Sequence, residues 1–82
     1  MEYRIGQMVR SKAGRDNGKA FVVVALESNY VYVADGASRR LEAPKKKKLK
    51  HIQGTYNVSE EIAASIEGGT AENYMLRRFL NS

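Results

Sequence analysis

The residues with the clearest chemical potential are cations. A dense basic run occupies positions 45–51, and its members are Lys45, Lys46, Lys47, Lys48, Lys50 and His51. Each lysine that neutralises a phosphate releases a counterion, so such a run suits a polyanion whose binding weakens with salt. The competing interpretation is a flexible charged connection, because like charges in water repel one another and stay solvated. We favour phosphate binding because other cations can reinforce the run.

A second group of cations surrounds a loop that is bounded by two glycines. These glycines allow the positive φ angles that a tight loop requires. Between them, Asp16 is expected to close the turn by accepting backbone N–H groups. We therefore predict a phosphate-contacting loop whose contact residues are Lys12, Gly14, Arg15, Gly18 and Lys19.

Arg39 and Arg40 are neighbours, and on a regular strand they point to opposite faces. One of them is a candidate for a bidentate phosphate contact or for stacking on a base. The alternative is an ordinary surface ion pair with Glu27 or Glu42.

Tyr30 and Tyr32 alternate with Val31 and Val33, so we expect the tyrosines on the outer face of a strand. An exposed aromatic ring can stack on an unpaired base. Cross-strand packing also favours tyrosine on strand surfaces, and packing is the better interpretation of this pair.

The chain offers little for catalysis or metal binding. It has no cysteine, and His51 is its single histidine, so a transition-metal site would need clustered carboxylates that the sequence lacks. No nucleophile lies beside a base, and the loop lacks a P-loop ending because Ala20 follows Lys19. We expect no enzymatic activity, no metal, no cofactor and no small-molecule substrate.

Charge is distributed unevenly along the 82 residues. Residues 1–53 carry twelve Lys and Arg against five Asp and Glu, a net +7, whereas residues 54–82 carry a net −2. A basic segment joined to a mildly acidic one indicates a module that binds a polyanion. No apolar run approaches the roughly 20 residues of a membrane span, and the N-terminus lacks signal-peptide features. We therefore expect a cytoplasmic protein with no membrane partner.

Hydrophobic patterning predicts five short strands, at about residues 5–12, 21–26, 30–34, 38–42 and 49–53. The second of these is apolar on both faces, which indicates a strand covered on both sides or bent across a barrel. Asp35-Gly36 is a hairpin signal, and it predicts a return strand from Ser38 to Glu42. Short strands joined by tight turns are typical of a small antiparallel barrel, so the expected fold class is mainly β.

The rest of the chain predicts two helices. Ser59 is a favourable N-cap for the first, which Gly68-Gly69 should end. Thr70 is expected to cap a second helix, whose apolar stripe comprises Met75, Leu76, Phe79 and Leu80. Helices this short are unstable alone. We therefore expect a barrel domain over residues 1–53 and a helical C-terminal extension over residues 54–82, packed on the barrel.

Residues 5–53 resemble a known family. The order Gly6…Val9…Gly14-x-Asp16-x-Gly18-Lys19, followed by an apolar strand, resembles the KOW motif of ribosomal proteins and transcription elongation factors. The continuation through Val33-Ala34-Asp35-Gly36 and Arg39-Arg40 resembles the large-subunit ribosomal protein fourteen-e family and its small bacterial relatives. One departure is Phe21, where many KOW sequences have glycine, and this suits the fourteen-e-like branch better than the elongation-factor branch.

The resemblance implies a five-stranded SH3-like (KOW) barrel with a short two-helix appendage, and RNA binding through the loop after the first strand. By the same likeness the RNA would be ribosomal. The protein would then be a ribosomal or ribosome-associated component of translation, with ribosomal proteins as further partners. The alternative is a protein-interaction module of a transcription or translation complex, as some KOW domains are.

Overall fold

The computed structural model describes residues 2–82. Five strands form one antiparallel sheet, and two helices follow, so the mainly β fold class is confirmed. The strands are β1 (Gln7–Ser11), β2 (Ala20–Glu27), β3 (Tyr30–Ala34), β4 (Lys45–Lys48) and β5 (Ile52–Val58), and the helices are α1 (Glu60–Glu67) and α2 (Asn73–Leu80). Short 3-10 turns at Gly14–Asp16 and Leu49–His51 precede β2 and β5.

The strand order in the sheet is β4-β3-β2-β1-β5. Within residues 2–82, β4 and β5 do not pair, so the sheet keeps two edges instead of closing through a ladder. It is nevertheless strongly curved, because the Lys47 ammonium on β4 lies 2.8 Å from the Ser11 hydroxyl on β1. In a flat sheet those two strands would be roughly 14 Å apart, at about 4.8 Å per strand.

The sheet is covered on both faces, as the apolar character of β2 predicts. On the concave face the inner core contains Val9, Phe21, Val23, Val31, Val33 and Ile52. On the convex face the outer core contains Val22, Val24 and Ala34, together with Ile62 from α1 and Leu76 from α2. Successive residues of a strand face opposite sides, which is how β2 supplies side chains to both cores.

The predicted return strand from Ser38 to Glu42 is wrong. The Asp35 carboxylate accepts hydrogen bonds from the backbone N–H groups of Ala37 at 2.9 Å and Arg39 at 2.8 Å. A short acidic side chain that bonds nearby backbone in this way offers an alternative to a β-ladder. The strand that pairs with β3 is β4, so the lysine run is a regular strand and not a flexible connection.

The last strand also differs from the expectation of residues 49–53. Leu49–His51 forms a 3-10 turn, and β5 then continues to Val58. It pairs with β1 through an irregular register, because Gln7 faces Val58 while Val9 faces Gly54. The Thr55 hydroxyl donates to the Met8 carbonyl inside this irregularity, which explains how the strand extends past Gly54.

The two helices begin and end close to their expected positions. The Ser59 hydroxyl accepts from the Ile62 N–H at 3.1 Å, so its role as N-cap of α1 is confirmed. Thr70 does not cap α2; its N–H donates to the Ser65 carbonyl and completes the end of α1, while Glu72 precedes α2. The predicted apolar stripe of α2 packs in the outer core, with Leu76 fully buried.

Candidate nucleic-acid interface

The glycine-bounded loop between β1 and β2 has the predicted backbone. Gly14 has φ +71° and Gly18 has φ +87°, which confirms that the loop needs positive φ at both ends. A Cβ at either glycine would meet no atom within 4 Å, so backbone conformation and not crowding calls for glycine there. The Gly18 N–H donates to the Ser11 carbonyl at 2.7 Å and closes the loop.

Asp16 anchors this loop to β4, which corrects the expectation that it bonds backbone N–H groups. Its Oδ2 atom accepts from the Lys45 ammonium at 2.7 Å, and the Lys47 ammonium lies 3.6 Å away. The hydrogen bond from Lys45 lowers the pKa of Asp16 below its usual value. The loop and the first half of β4 are therefore joined through one carboxylate.

The lysine run is divided between the two faces of the sheet. Cross-strand partners share a face, and Lys45 and Lys47 are paired with Val33 and Val31 of the inner core. Lys46 and Lys48 are paired with Tyr32 and Tyr30 on the opposite face. Four adjacent lysines thus cannot act as one continuous basic surface.

Lys47 is the most enclosed of the four, at 9% exposure. Its ammonium donates to the Ser11 hydroxyl and lies near Asp16, while its partner across the strand is buried Val31. A buried ammonium group needs such hydrogen-bonding and oppositely charged neighbours, because removing a charge from water is costly. Lys47 therefore holds the curved sheet together from inside.

Lys46 lies on the convex face between aromatic rings and a carboxylate. Its ammonium is 4.3 Å from the centroid of the Tyr30 ring, 5.9 Å from that of Tyr32, and 3.8 Å from Glu27. The Tyr32 hydroxyl also donates to Glu27. Lys48 is exposed and, in the described part of the chain, has no carboxylate partner.

Lys19 is engaged by the turn that follows β3. Its ammonium lies 3.1 Å from Asp35 and donates to the Ser38 hydroxyl. Burial alone would raise the pKa of Asp35, but hydrogen bonds from Ala37, Arg39, Ser38 and Lys19 outweigh it and lower the pKa to about 2. The turn is therefore tied to the loop by a buried carboxylate.

The two arginines after this turn differ in their surroundings. Arg40 forms an exposed ion pair with Glu42 at 3.2 Å, as the alternative interpretation predicts. Arg39 is half-buried, and its backbone N–H donates a hydrogen bond to the Asp35 carboxylate. Within residues 2–82 neither arginine side chain forms an ion pair or hydrogen bond with a loop cation, so the two lie at the margin of the candidate site.

Five exposed cations among residues 2–53 have no carboxylate partner. We call them the unpaired cations, and they are Arg10, Lys12, Arg15, Lys48 and Lys50. The Lys12 N–H donates to the His51 carbonyl at 2.8 Å, which brings the loop next to the 3-10 turn that carries Lys50. The loop, the turn and the end of β4 thereby follow one another across the surface.

Arg10 is the member of this set that sequence reasoning misses. It lies on β1 between buried Val9 and buried Ser11, so it points outward, and its guanidinium donates to the Gly18 carbonyl at 3.1 Å. The alternation of β1 places it on the exposed face beside the loop, and this alternation was the available signal.

The described residues contain neither a cluster of metal-ligand side chains nor a membrane-spanning helix. No group of three or more His, Cys, Asp or Glu side chains in residues 2–82 is arranged to hold a metal ion. The two helices are also too short to cross a bilayer, and no other helix in this range could do so. No protein-family model matches the chain, and no curated protein matches it significantly.

Proposed function

We propose that the protein binds RNA through the unpaired cations. The observation that carries this proposal is their continuity, from Arg10, Lys12 and Arg15 around the loop to Lys50 and Lys48. A cation already paired with a carboxylate gains less from a phosphate than a cation that has no acidic neighbour. The net +7 of residues 1–53 gives this surface a positive field that attracts a polyanion from a distance.

Six of the other predicted residues support this surface instead of forming it. Lys45 and Lys47 hold Asp16 in the middle of the loop, and Lys19 at its end holds Asp35. Gly14 and Gly18 supply the loop's backbone, and the His51 carbonyl receives the Lys12 N–H. RNA contacts would then be made with phosphates and 2′-hydroxyls presented by a fixed shape, more than with base edges.

The proposal extends to the family resemblance. The curved five-stranded sheet, the positive-φ glycines and the lysine strand are consistent with an SH3-like barrel of the KOW type. On that likeness, the proposed RNA is ribosomal and the protein is a cytoplasmic ribosomal or ribosome-associated component. Co-sedimentation with ribosomal subunits that is lost as salt is raised would support this finer identification.

The experiment that tests RNA binding compares two double variants of equal charge. Lys12→Ala/Lys50→Ala removes two neighbouring unpaired cations, whereas Arg4→Ala/Arg78→Ala removes two exposed cations outside the surface. Affinity for RNA is measured by filter binding over a range of salt concentrations. We expect the first variant to make the negative slope of log K against log salt shallower by about 1.4 to 1.8, and the second to leave it near wild type.

Equal slopes for the two variants would show that the effect is net charge alone and would contradict the proposed surface. A wild-type protein that binds no RNA at low salt, but captures a protein partner in a salt-insensitive way, would favour the protein-interaction alternative.

A further inference from the structure

A surface pocket at one end of the convex face combines an aromatic ring with two cations. It has a volume of about 380 Å³, and the residues that line it are Asn29, Tyr30, Lys48, Leu49 and Lys50. Both lysines belong to the unpaired cations. The pocket is fixed by backbone contacts, because the Leu49 N–H donates to the Asn29 carbonyl at 3.2 Å.

Tyr30 and Tyr32 have different roles. Tyr32 packs against the outer core and bonds Glu27, so packing explains it. Tyr30 belongs to neither core, is only half-buried, and contributes its side chain to the pocket. Its cross-strand partner is Lys48, so the ring and that ammonium stand on the same face.

Lys46 determines how the Tyr30 ring can be used. Its ammonium lies over one face of the ring, 4.3 Å from the centroid, and such a contact holds the ring in place. A planar ring has two faces, so a second flat group can stack only on the other one. Lys46 does not line the pocket, whose two cations are Lys48 and Lys50, and these suit the phosphates on either side of a base.

We propose that this pocket holds an unpaired RNA base, stacked on Tyr30, with Lys48 and Lys50 on the flanking phosphates. This inference rests on the proposed RNA binding and sharpens it, because it makes single-stranded RNA the preferred ligand at this end of the surface. A base inside a duplex already has both faces covered by its neighbours and cannot stack on a protein ring.

The test uses an unstructured RNA of about twelve nucleotides and a duplex of the same length, with binding followed by fluorescence anisotropy. Tyr30→Leu removes the ring, Tyr30→Phe keeps it, and Tyr56→Leu is the control, because Tyr56 is 94% exposed on β5. We expect Tyr30→Leu to weaken single-strand binding by about 5- to 150-fold with an unchanged salt slope. Tyr30→Phe and Tyr56→Leu should stay within about twofold of wild type, and duplex binding should not respond to Tyr30→Leu.

A second measurement does not depend on a well-folded leucine variant. A 2-aminopurine base in the single strand should lose fluorescence on binding to wild type and to Tyr30→Phe, since stacking quenches it. If wild type binds RNA in a salt-dependent way but Tyr30→Leu binds the single strand equally well, the pocket inference is overturned and the proposed function stands. If wild type binds neither RNA, both fail.

Discussion

At the scale of single residues, the β4 strand shows that identical neighbouring side chains can have different roles. Its four residues are Lys45, Lys46, Lys47 and Lys48. Because side chains alternate along a strand, Lys45 and Lys47 lie on the face nearer Asp16. Lys46 and Lys48 lie on the face of Tyr30 and Tyr32. Because Lys47 is buried and bonded to Ser11, its value is structural. Because Lys48 is exposed and has no carboxylate partner in residues 2–82, it is available for the proposed contact with RNA.

We expect Lys47→Ala and Lys48→Ala to separate stability from binding. The first leaves a buried hydroxyl without its donor and should lower the free energy of unfolding by about 1–3 kcal/mol. The second should change stability by less than about 0.5 kcal/mol but weaken RNA binding. Urea denaturation and filter binding on both variants check this. Equal stability losses would contradict the assigned roles.

Asp35 gives the protein a defined response to acid. Its pKa in the folded state is about 2, below the ordinary value of 3.8, because four hydrogen-bond donors overcome the effect of burial. The folded state therefore binds the proton more weakly than the unfolded state. The stabilisation from this carboxylate is fully present above about pH 4 and is lost as the pH falls toward 2.

Asp35→Asn should consequently be less stable than wild type at about pH 6, by about 2 kcal/mol, and the gap should narrow as the pH approaches 2. Urea midpoints measured at several pH values check the prediction. Glu67→Gln is the matched control, since Glu67 is exposed on α1 and has no ion pair in residues 2–82. A gap of constant size from pH 6 to 2 would mean that lost hydrogen bonding, and not ionisation, sets the difference.

At the scale of elements, the N-terminal half of α2 packs directly against Gly36, in the turn that follows β3. The Gly36 carbonyl accepts from the Arg77 guanidinium at 2.6 Å, and a Cβ at this glycine would lie 2.2 Å from the Asn73 carbonyl oxygen. Asn73 also accepts from the Leu41 N–H at 2.8 Å through its side chain. The turn after β3 therefore contacts the β1–β2 loop through Asp35 and Lys19, and it contacts the start of α2 through Gly36.

Gly36→Ala and Gly18→Ala should differ in cost although both glycines have positive φ. Gly18 has open space around it, so alanine there should cost about 1–2 kcal/mol for the left-handed backbone alone. At Gly36 the added methyl also meets the start of α2, and we expect a loss of about 3 kcal/mol or more. Chemical denaturation of the two variants tests this. Equal losses would mean that α2 shifts away from Gly36 without cost.

At the scale of the whole molecule, the helices and the sheet share one of the two cores. Leu76 is fully buried against β2 residues, so α2 cannot leave without exposing the convex face of the sheet. Short helices gain their stability from such packing. We therefore expect residues 2–82 to unfold as one cooperative unit.

Leu76→Ala should lower the free energy of unfolding by about 2–5 kcal/mol, because it leaves a cavity in the outer core. Leu26→Ala is the control, since Leu26 is 44% exposed, and it should cost less than about 1 kcal/mol. Far-UV circular dichroism and tyrosine fluorescence should give the same urea midpoint for each protein. Separate midpoints would indicate that the helices unfold before the sheet.

Local patterns were sufficient to predict much of this fold. Alternation predicted β1 and β3, a continuous apolar run predicted β2, the capping side chain of Ser59 predicted the start of α1, and two glycines predicted the loop. The prediction of a return strand at residues 38–42 failed because of one side chain. The Asp35 carboxylate accepts hydrogen bonds from the backbone N–H groups of Ala37 and Arg39, which therefore do not pair with β3. Prediction also failed at β4, since lysine is a poor strand former and only its pairing with β3 makes Lys45–Lys48 a strand. The division of the lysine run could be derived only after that strand was known.

The alternation of β4 also determines how the protein would respond to reagents that acylate amines. Such reagents need a lysine side chain that solvent can reach. Lys48 meets that need, Lys46 and Lys45 meet it in part through half-exposed side chains, and Lys47 is shielded at 8% side-chain exposure. Four adjacent and chemically identical side chains should therefore react at clearly different rates. When lysine acylation is used to map a complex, the rates must therefore be compared with those of the free protein. Only a lysine that reacts more slowly in the complex than in the free protein is protected by the ligand.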